Sequence, residues 1–413
     1  MLWIILTAIL GGILAVIGLY LCVVMVYQLF IGIHGFFAMK PLEKKEDKQY
    51  RFVVIVCARN ERAVIGELLD SLREQEYPRD KFDLFVVADN CTDDTAKVAA
   101  EHGAIVYERF NDQLIGKGHA LRWALPKIEE DYGDRYEVIA VFDADNLADK
   151  HFLQYTNEAF CAGADATQGY RETKNPFDNA LSGCYAIYWY MLSRFYHQAR
   201  ANRGMSCSIG GTGFAFKKSI IAENGWDTQT LTEDSEFAAR RTLDGCHIQF
   251  VREAVFYDEQ PTEWKVASKQ RKRWMCGVMQ ESRLLRKAAW KSWRGGNKRA
   301  LDIVMMQYGF PAVGWLLVTM FLSLAISAIA SIQFMTPWPI VLGVASLIVG
   351  SFLSMFVMAL LAVIVEKKPI GKFMKAILFY PVFMAPMMVY TFECFFKKDM
   401  VWEQIRHGST EQK

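Results

Sequence analysis

The sequence predicts an α/β domain with a mostly parallel sheet, carried between membrane-spanning helices near both ends of the chain. Three observations support this. Short apolar runs alternate with stretches of helical periodicity from residue 52 onward, the pattern of parallel strands with helices on their faces. Leu2 to Ala38 and Ile303 to Val365 contain no Asp, Glu, Lys or Arg, and each exceeds the ~20 apolar residues that cross a bilayer. Acidic residues follow directly after several of the apolar runs, where open α/β sheets bind their ligands.

The composition agrees with a membrane protein of more than one domain. Of 413 residues, 52% are hydrophobic, with 11 Trp and 28 Phe, which is rich for a soluble enzyme. The first apolar stretch lacks a basic start and a small-residue cleavage site, so it reads as an anchor. The second is long enough for two crossings with a turn at Thr336-Pro337-Trp338-Pro339. A fourth candidate, Phe373 to Phe396, is broken by Pro381 and Pro386 and carries Glu393. Lys40, Lys44, Lys45, Lys48 and Arg51 after the first span, and Lys291, Arg294, Lys298 and Arg299 before the second, put the middle of the chain in the cytosol. Lys397, Lys398 and Arg406 would favour the same side, whereas four crossings would put them outside; a re-entrant or interfacial segment from Phe373 is the alternative. Nine cysteines without a Cys-x-x-Cys pair fit a reducing compartment and argue against a disulfide framework and a zinc site. The net charge of +2 singles out no partner.

Taken in order, Phe52 to Cys57 is the first strand, followed by Ala58-Arg59-Asn60-Glu61 and a helix with apolar Val64, Ile65, Leu68, Leu69 and Leu72. Phe82 to Ala88 is a second strand, ending in Asp89, and Thr92-Asp93-Asp94-Thr95 opens the next helix. Ala104 to Tyr107 is a third, and a loop with Gly116-Lys117-Gly118 leads into a helix from His119. Val138 to Phe142 is the fourth, ending in Asp143-Ala144-Asp145-Asn146. Pro176 to Arg203 reads as a long aromatic-rich helix whose rings serve packing. Gly210-Gly211-Thr212-Gly213 precedes a strand, Phe214 to Phe216, and Thr232 is the expected N-cap of a helix with Glu233 and Asp234 in its first turn.

Asp143 and Asp145, one residue apart, present hard oxygen ligands suited to Mg²⁺ or Mn²⁺ carrying phosphates; turn residues that simply end a strand are the competing reading. Asn60, Glu61 and Asp89 fall at the ends of other strands, which would gather them in one crevice. Lys117 suits a diphosphate, or is an exposed loop lysine. Neither the Walker A order nor the Gly-x-Gly-x-x-Gly dinucleotide fingerprint is present. Gly210 to Gly213 allows close backbone approach to a ligand, or is a tight turn. Glu233 and Asp234, taken alone, are structural acids at a helix start. Trp264 to Arg299 interleaves basic residues with tryptophans before a span, which points to interfacial helices on anionic lipid rather than to a nucleic-acid surface.

Together, Ala58-Arg59-Asn60-Glu61, the Asp89 loop, Phe142-Asp143-Ala144-Asp145, Gly210-Gly211-Thr212-Gly213-Phe214, Thr232-Glu233-Asp234 and Gln270-Arg271-Lys272-Arg273-Trp274 resemble the membrane-embedded family 2 glycosyltransferases, among them the cellulose, chitin, hyaluronan and poly-N-acetylglucosamine synthases. The resemblance covers about Phe52 to Trp274 and the arrangement of spans. It implies a GT-A fold at 49–262 after an anchor at 1–40, interfacial helices at 263–299, a membrane region at 300–396 and a short tail at 397–413. It also implies inverting transfer from a UDP-sugar. On the matching positions, Asn60, Glu61 and Asp89 line the nucleotide pocket, Lys117 the diphosphate region, Asp143 the nucleotide sugar, and Asp145 holds Mg²⁺ or Mn²⁺. Asp234 is the general base, with Glu233 beside the acceptor. Gln270, Arg273 and Trp274 close over the diphosphate, Trp274 also touching the acceptor sugar. Asn90 stands where many relatives carry an acid, and the spans are fewer than in cellulose synthases.

The expected protein is therefore a multi-pass enzyme of the plasma membrane with a cytosolic catalytic domain. It extends a polysaccharide repeatedly and feeds the product into its own transmembrane region, with a homo-oligomer or an accessory export subunit as further partners. Single addition to a lipid acceptor is the alternative, followed by a non-catalytic sugar-nucleotide-binding protein. Its partners are a UDP-sugar, a glycan or glycolipid acceptor and membrane lipids, without nucleic acid.

Overall fold

The computed structural model describes residues 2–396. Helix α1, Leu2–Gly32, and a 3₁₀ turn, Ile33–Phe36, lead to the α/β domain. This runs β1 Phe52–Ala58, α2 Ile65–Arg73, β2 Phe82–Asp89, α3 Thr95–Glu101, β3 Ile105–Arg109, α4 Lys117–Tyr132, β4 Val138–Asp143, β5 Leu147–Ala148 and α5 Phe152–Cys161. It continues through β6 Ala166–Thr173, α6 Ala180–Met191, a π-helical stretch Leu192–Gln198, α7 Ala199–Ala201, β7 Phe214–Lys217, α8 Glu233–Leu243 and β8 Ile248–Asp258. Then come α9 Trp264–Arg294, α10 Ala300–Gln333, α11 Trp338–Val365, α12 Ile370–Met384 and α13 Pro386–Phe396.

The strands form one sheet in the order β3-β2-β1-β4-β7-β6-β8-β5. β3, β2, β1 and β4 are parallel, as the alternation predicts, and β6 pairs parallel with β8. β7 runs antiparallel to both β4 and β6 and joins the two halves. Because side chains alternate along a strand, Val53, Ile55, Ile139 and Val141 pack into one layer, while Phe52, Val54, Val56, Ala140 and Phe142 pack into the other. α2 and α5 cover the second layer through Leu68, Leu69, Leu153 and Phe160. The first is covered by α4 and α6 and continues into Ala362, Val363, Phe373 and Ile377 of α11 and α12. The apolar core of the first layer thus runs from the sheet into α11 and α12.

Four helices are long and apolar enough to cross a membrane, spanning Trp3–Phe36, Ala300–Gln333, Trp338–Val365 and Ile370–Phe396. The last is split at Ala385, and its first half rests on α6, with the Phe373 and Tyr190 rings 5.9 Å apart. Lys397, Lys398, Arg406 and the rest of the expected tail lie outside the described residues. α1, α7 and α10 are tied by the buried Arg200, whose Nε donates to Asp302 Oδ2 at 2.8 Å while Tyr27 donates to Oδ1 at 2.7 Å.

Some local expectations change. The helix expected from His119 begins at Lys117, because Gly116 takes a φ of 119° that lets the chain turn directly into it. Thr232 occupies the N-cap position of α8, but its side chain makes no capping bond. The cysteine spacing argues against a disulfide framework, and the structure holds one disulfide among the described residues. α13 packs on α9 and joins Cys276 to Cys394 across 118 residues of sequence, with Cα atoms 5.3 Å apart. Spacing along the chain carries no signal for a pair that only helix packing unites.

Candidate active site

The chain reverses direction across the sheet between β1 and β4, which makes the carboxyl ends of these strands the natural crevice. Cys57 and Asp143 are register partners there. The Cys57 thiol, pushed up to about 12 by burial, lies within electrostatic range of Lys117, Asp143, Asp89 and Glu233, which draws these four side chains into one neighbourhood. At that value the thiol is no nucleophile.

Lys117 is the hub of the crevice. Its Nζ donates to Asp143 Oδ1 at 2.5 Å and to the Gly211 carbonyl at 2.6 Å. Burial pulls its ammonium down, but the surrounding acids, Asp143 foremost, outweigh burial and hold it above its usual range. The Gly210–Gly213 turn is needed here for close approach. Gly211 has a φ of 85° and sits so near α8 that an added Cβ would lie 3.5 Å from Asp234 Oδ2. Thr212 secures the turn to β4, accepting from the Asp143 amide at 2.9 Å and donating to Asn146. α4 meets α8 at Gly118, where a Cβ would come within 3.3 Å of Glu233.

Glu233 and Asp234 occupy the first turn of α8. Glu233 is pushed up to about 7, by burial first and then by the Asp234 charge, against Lys117 and Arg273. Asp234 is raised as well, chiefly by burial, while backbone hydrogen bonding, Lys117 and Arg273 pull it down. Both acids are therefore held above the ordinary carboxylate range.

α9 lies against this turn along one stripe, since positions three and four apart share a helix face. Gln270, Arg273, Trp274, Gly277 and Glu281 form the stripe. Gly277 touches Thr232 so closely that a Cβ would fall 2.5 Å from Thr232 Cγ2. Gln270 Oε1 and Arg273 Nε are buried without a hydrogen-bond partner. Arg271 and Lys272 face away: Arg271 donates to the Phe383 carbonyl and Lys272 pairs with Glu393. Trp274 meets Tyr188, Tyr185 and Trp189, with ring centroids 6.1, 6.1 and 5.6 Å away. The aromatic residues read as packing in the sequence therefore build a wall next to the motif tryptophan.

Asp145 is buried, and its carboxyl is raised well above the usual range, by burial first and then by Asp258 and Asp143. Asn146 Nδ2 bridges the two carboxylates, 3.1 Å from Asp145 Oδ1 and 2.9 Å from Asp258 Oδ1. Two crowded acids fit a hard divalent cation that takes further oxygens from a diphosphate. Among the described residues no three His, Cys, Asp or Glu form a complete cage.

Asp89 lies one strand further out and forms a buried ion pair with Arg109. Asn90, at a φ of 53°, ties that loop to the next through its Nδ2 to Asn111 O, 3.1 Å, and its Oδ1 from Asn111 N, 2.7 Å. Asn60 also has a left-handed φ of 58°, and its Oδ1 accepts from Thr92 N at 2.7 Å, a loop-forming contact. Glu61 follows at the mouth of β1, its amide donating to Thr95 Oγ1 at 2.9 Å. Sequence reading missed Arg109, Asp258 and Arg171, which donates to Asp258 Oδ2 at 2.7 Å and stacks 3.9 Å over Trp189. The criterion that selected Asp89, a polar residue at the carboxyl end of a strand, reaches Arg109 and Asp258 only once β3 is seen to end at Arg109 and β8 at Asp258.

The family model described as glycosyltransferase-like family 2 matches residues 50–277. The probable glycosyltransferase YdaM of Bacillus subtilis is 29% identical over 62% of this chain and 63% of its own length. A beta-monoglucosyldiacylglycerol synthase of Nostoc is 28% identical over 60% of this chain and 54% of its own. Glucomannan 4-beta-mannosyltransferase 7 of Arabidopsis thaliana is 26% identical, over 61% and 46% respectively. The chain thus matches between about half and two thirds of the length of these relatives. The mannosyltransferase PcManGT of Pyrobaculum calidifontis, solved with GDP-Man and Mn²⁺, superimposes with a TM-score of 0.59 at 20% identity, covering 91% of this chain and 98% of that one.

Proposed function

Since the chain belongs to the glycosyltransferase-like family 2 and has its GT-A fold, we propose that it transfers a hexose, with inversion, from a nucleoside diphosphate sugar to a growing glycan at a membrane surface. The observation that carries this reading is the convergence of Lys117, Asp143, Glu233 and Asp234 on the crevice between β1 and β4, beneath the α9 stripe.

In this reading Asp234 accepts the proton of the acceptor hydroxyl as its oxygen attacks the anomeric carbon. A positioned base contributes on the order of 100-fold or more to such a step. The bond from that carbon to the diphosphate breaks, and its electron pair leaves on the phosphate oxygen. Lys117 and Arg273 stabilise the developing charge, and the unpartnered Gln270 Oε1 and Arg273 Nε supply polar groups for the donor. Asp143 orients the nucleotide sugar, and Asn60, Glu61 and Asp89 border the nucleotide. Asp145, with Asp258 beside it, would hold Mg²⁺ or Mn²⁺, which supplies charge neutralisation of the diphosphate when bound. Glu233 sits on the acceptor side of the base. UDP is the expected nucleotide.

Trp274 and its wall favour a sugar as the acceptor, because an aromatic face suits the apolar face of a pyranose. Similarity to the beta-monoglucosyldiacylglycerol synthases favours a second reading, a single transfer to a lipid. The proposed location is the plasma membrane, with the α/β domain in the cytosol. Membranes containing the full chain, incubated with labelled UDP-sugars, decide between the two acceptors: a ladder or polymer supports the glycan, and one lipid-extractable product replaces it with the lipid. If a donor panel gives neither transfer nor hydrolysis, the enzyme reading fails.

A further inference from the structure

The end of α1 and the 3₁₀ turn that follows it present Leu29, Phe30, Ile33, Phe36 and Phe37 as exposed apolar side chains, and the chain then turns into Lys40. Under this turn is a cavity of about 590 Å³ lined by His34, Lys40, Ala201, Asn202, Arg203 and Gly204. Three of these residues can carry positive charge and none is acidic.

The nearby lysines are used differently. Lys44 pairs with Glu158 at 3.2 Å and Lys48 with Glu137 at 2.5 Å. Among the described residues, no carboxylate lies within ion-pairing distance of Lys40 or Arg203. The frame around the two is rigid. The Asn202 side chain is buried, its Nδ2 donating to the carbonyls of His34, Phe37 and Ala38 at 3.0, 3.4 and 3.2 Å, and its Oδ1 accepting from the Lys40 amide at 3.2 Å. His34 Nδ1 is 3.0 Å from the Phe30 carbonyl, which only accepts, so Nδ1 carries the proton and Nε2 is turned to Arg203 Nη1, 3.5 Å away. The Arg203 guanidinium also lies 5.1 Å from the Phe30 ring, at the level where apolar surface gives way to charge.

We propose that this cavity binds the phosphate headgroup of an anionic membrane lipid, with Lys40 and Arg203 on the phosphate and the acyl chains along the apolar end of α1. A guanidinium fork matches phosphate oxygens, and the exposed phenylalanines suit acyl chains and not water. The site is separate from the proposed catalytic crevice. Asn202 and Ala201 also line an adjoining cavity with Ala164 and His247, at the amino ends of β6 and β8. The crevice lies at the opposite, carboxyl end of β8, roughly 30 Å along an extended strand of this length. The inference rests on α1 lying in a membrane and not on the transfer reaction.

The test uses the full chain in detergent micelles and measures retention of phosphatidylglycerol against phosphatidylcholine by native mass spectrometry. A photo-crosslinking phosphatidylglycerol analogue maps the contact. The expected result is preferential retention of phosphatidylglycerol, lowered about tenfold in the double variant Lys40→Gln, Arg203→Gln, with crosslinks at residues 34–40 and 201–204. The Lys44→Gln, Lys48→Gln variant should retain lipid like the wild type. Equal loss in both double variants would reduce the effect to general surface charge and overturn the proposal. So would crosslinks confined to α9, or displacement of the lipid by millimolar inorganic phosphate, which would identify free phosphate as the ligand. Because Lys40 and Arg203 are exposed, their replacement leaves the fold intact, which circular dichroism checks.

Discussion

Lys117 Nζ stands 2.5 Å from Asp143 Oδ1 and joins the first residue of α4 to the last of β4. The same ammonium holds the Gly211 carbonyl, so one cation connects the helix, the central strand and the glycine turn beside Asp234. A donor diphosphate entering this crevice would meet an ammonium already held in place by its ion pair with Asp143.

Lys117→Ala should weaken UDP binding by roughly tenfold or more, the loss of a charge-assisted contact. Titration calorimetry with UDP and Mn²⁺ measures it. Unchanged affinity would leave Lys117 a purely structural link between α4 and β4.

Asp234→Asn should lower transfer by about 100-fold or more while UDP affinity stays within about twofold of the wild type. Loss of UDP binding together with transfer would mean that Asp234 belongs to the donor site and is not the base.

The raised carboxyl pair predicts a pH profile. A base works only when ionised, and Asp234 is held above its usual range, so kcat/KM should fall with decreasing pH at a pH above the ordinary carboxylate range. Glu233→Gln removes a neighbouring charge and should move this limb to lower pH. Stability follows the same shift. A folded-state pKa raised above the unfolded value means the native state binds more protons, so stability is present at acid pH and lost as pH rises towards about 7. Glu233→Gln should therefore raise the melting temperature at about pH 8 and leave it nearly unchanged at about pH 5. A variant with the wild-type profile at both would show that Glu233 is not buried in its ionised form.

Gly277 leaves no room for a side chain against Thr232. Gly277→Ala should destabilise the chain by about 1–3 kcal/mol and depress transfer, because α9 must shift from the Thr-Glu-Asp turn. Thr232→Ser in the same chain removes the nearer methyl and should restore part of both losses; simple additivity in the double-mutant cycle would deny the contact.

The Cys276–Cys394 bond predicts that seven of the nine cysteines alkylate in denatured protein without reductant. Nine alkylated cysteines in freshly isolated membranes would mean that the two thiols stay reduced in place.

Local pattern alone determined the four parallel strands, the long apolar helices and the acids at strand ends. Periodicity and the absence of charge are properties of neighbouring residues, and burial follows from them directly. The family motifs singled out Asp143, Asp234 and Arg273 for the same reason: each is carried by a few adjacent residues. What tertiary structure decided lies between segments far apart in sequence. Only the packing of α9 on α8 separates Gln270, Arg273 and Trp274, on the stripe towards Thr232, from Arg271 and Lys272, which anchor to α12 and α13. Only sheet order sets Asp258 beside Asp145 and Arg109 against Asp89. Asn60 shows the converse, since its side chain holds a left-handed turn and bonds Thr92, a use that its position in the motif did not reveal. Side-chain direction and long-range partners depend on how elements stack, and that stacking is fixed by the buried faces of all of them together.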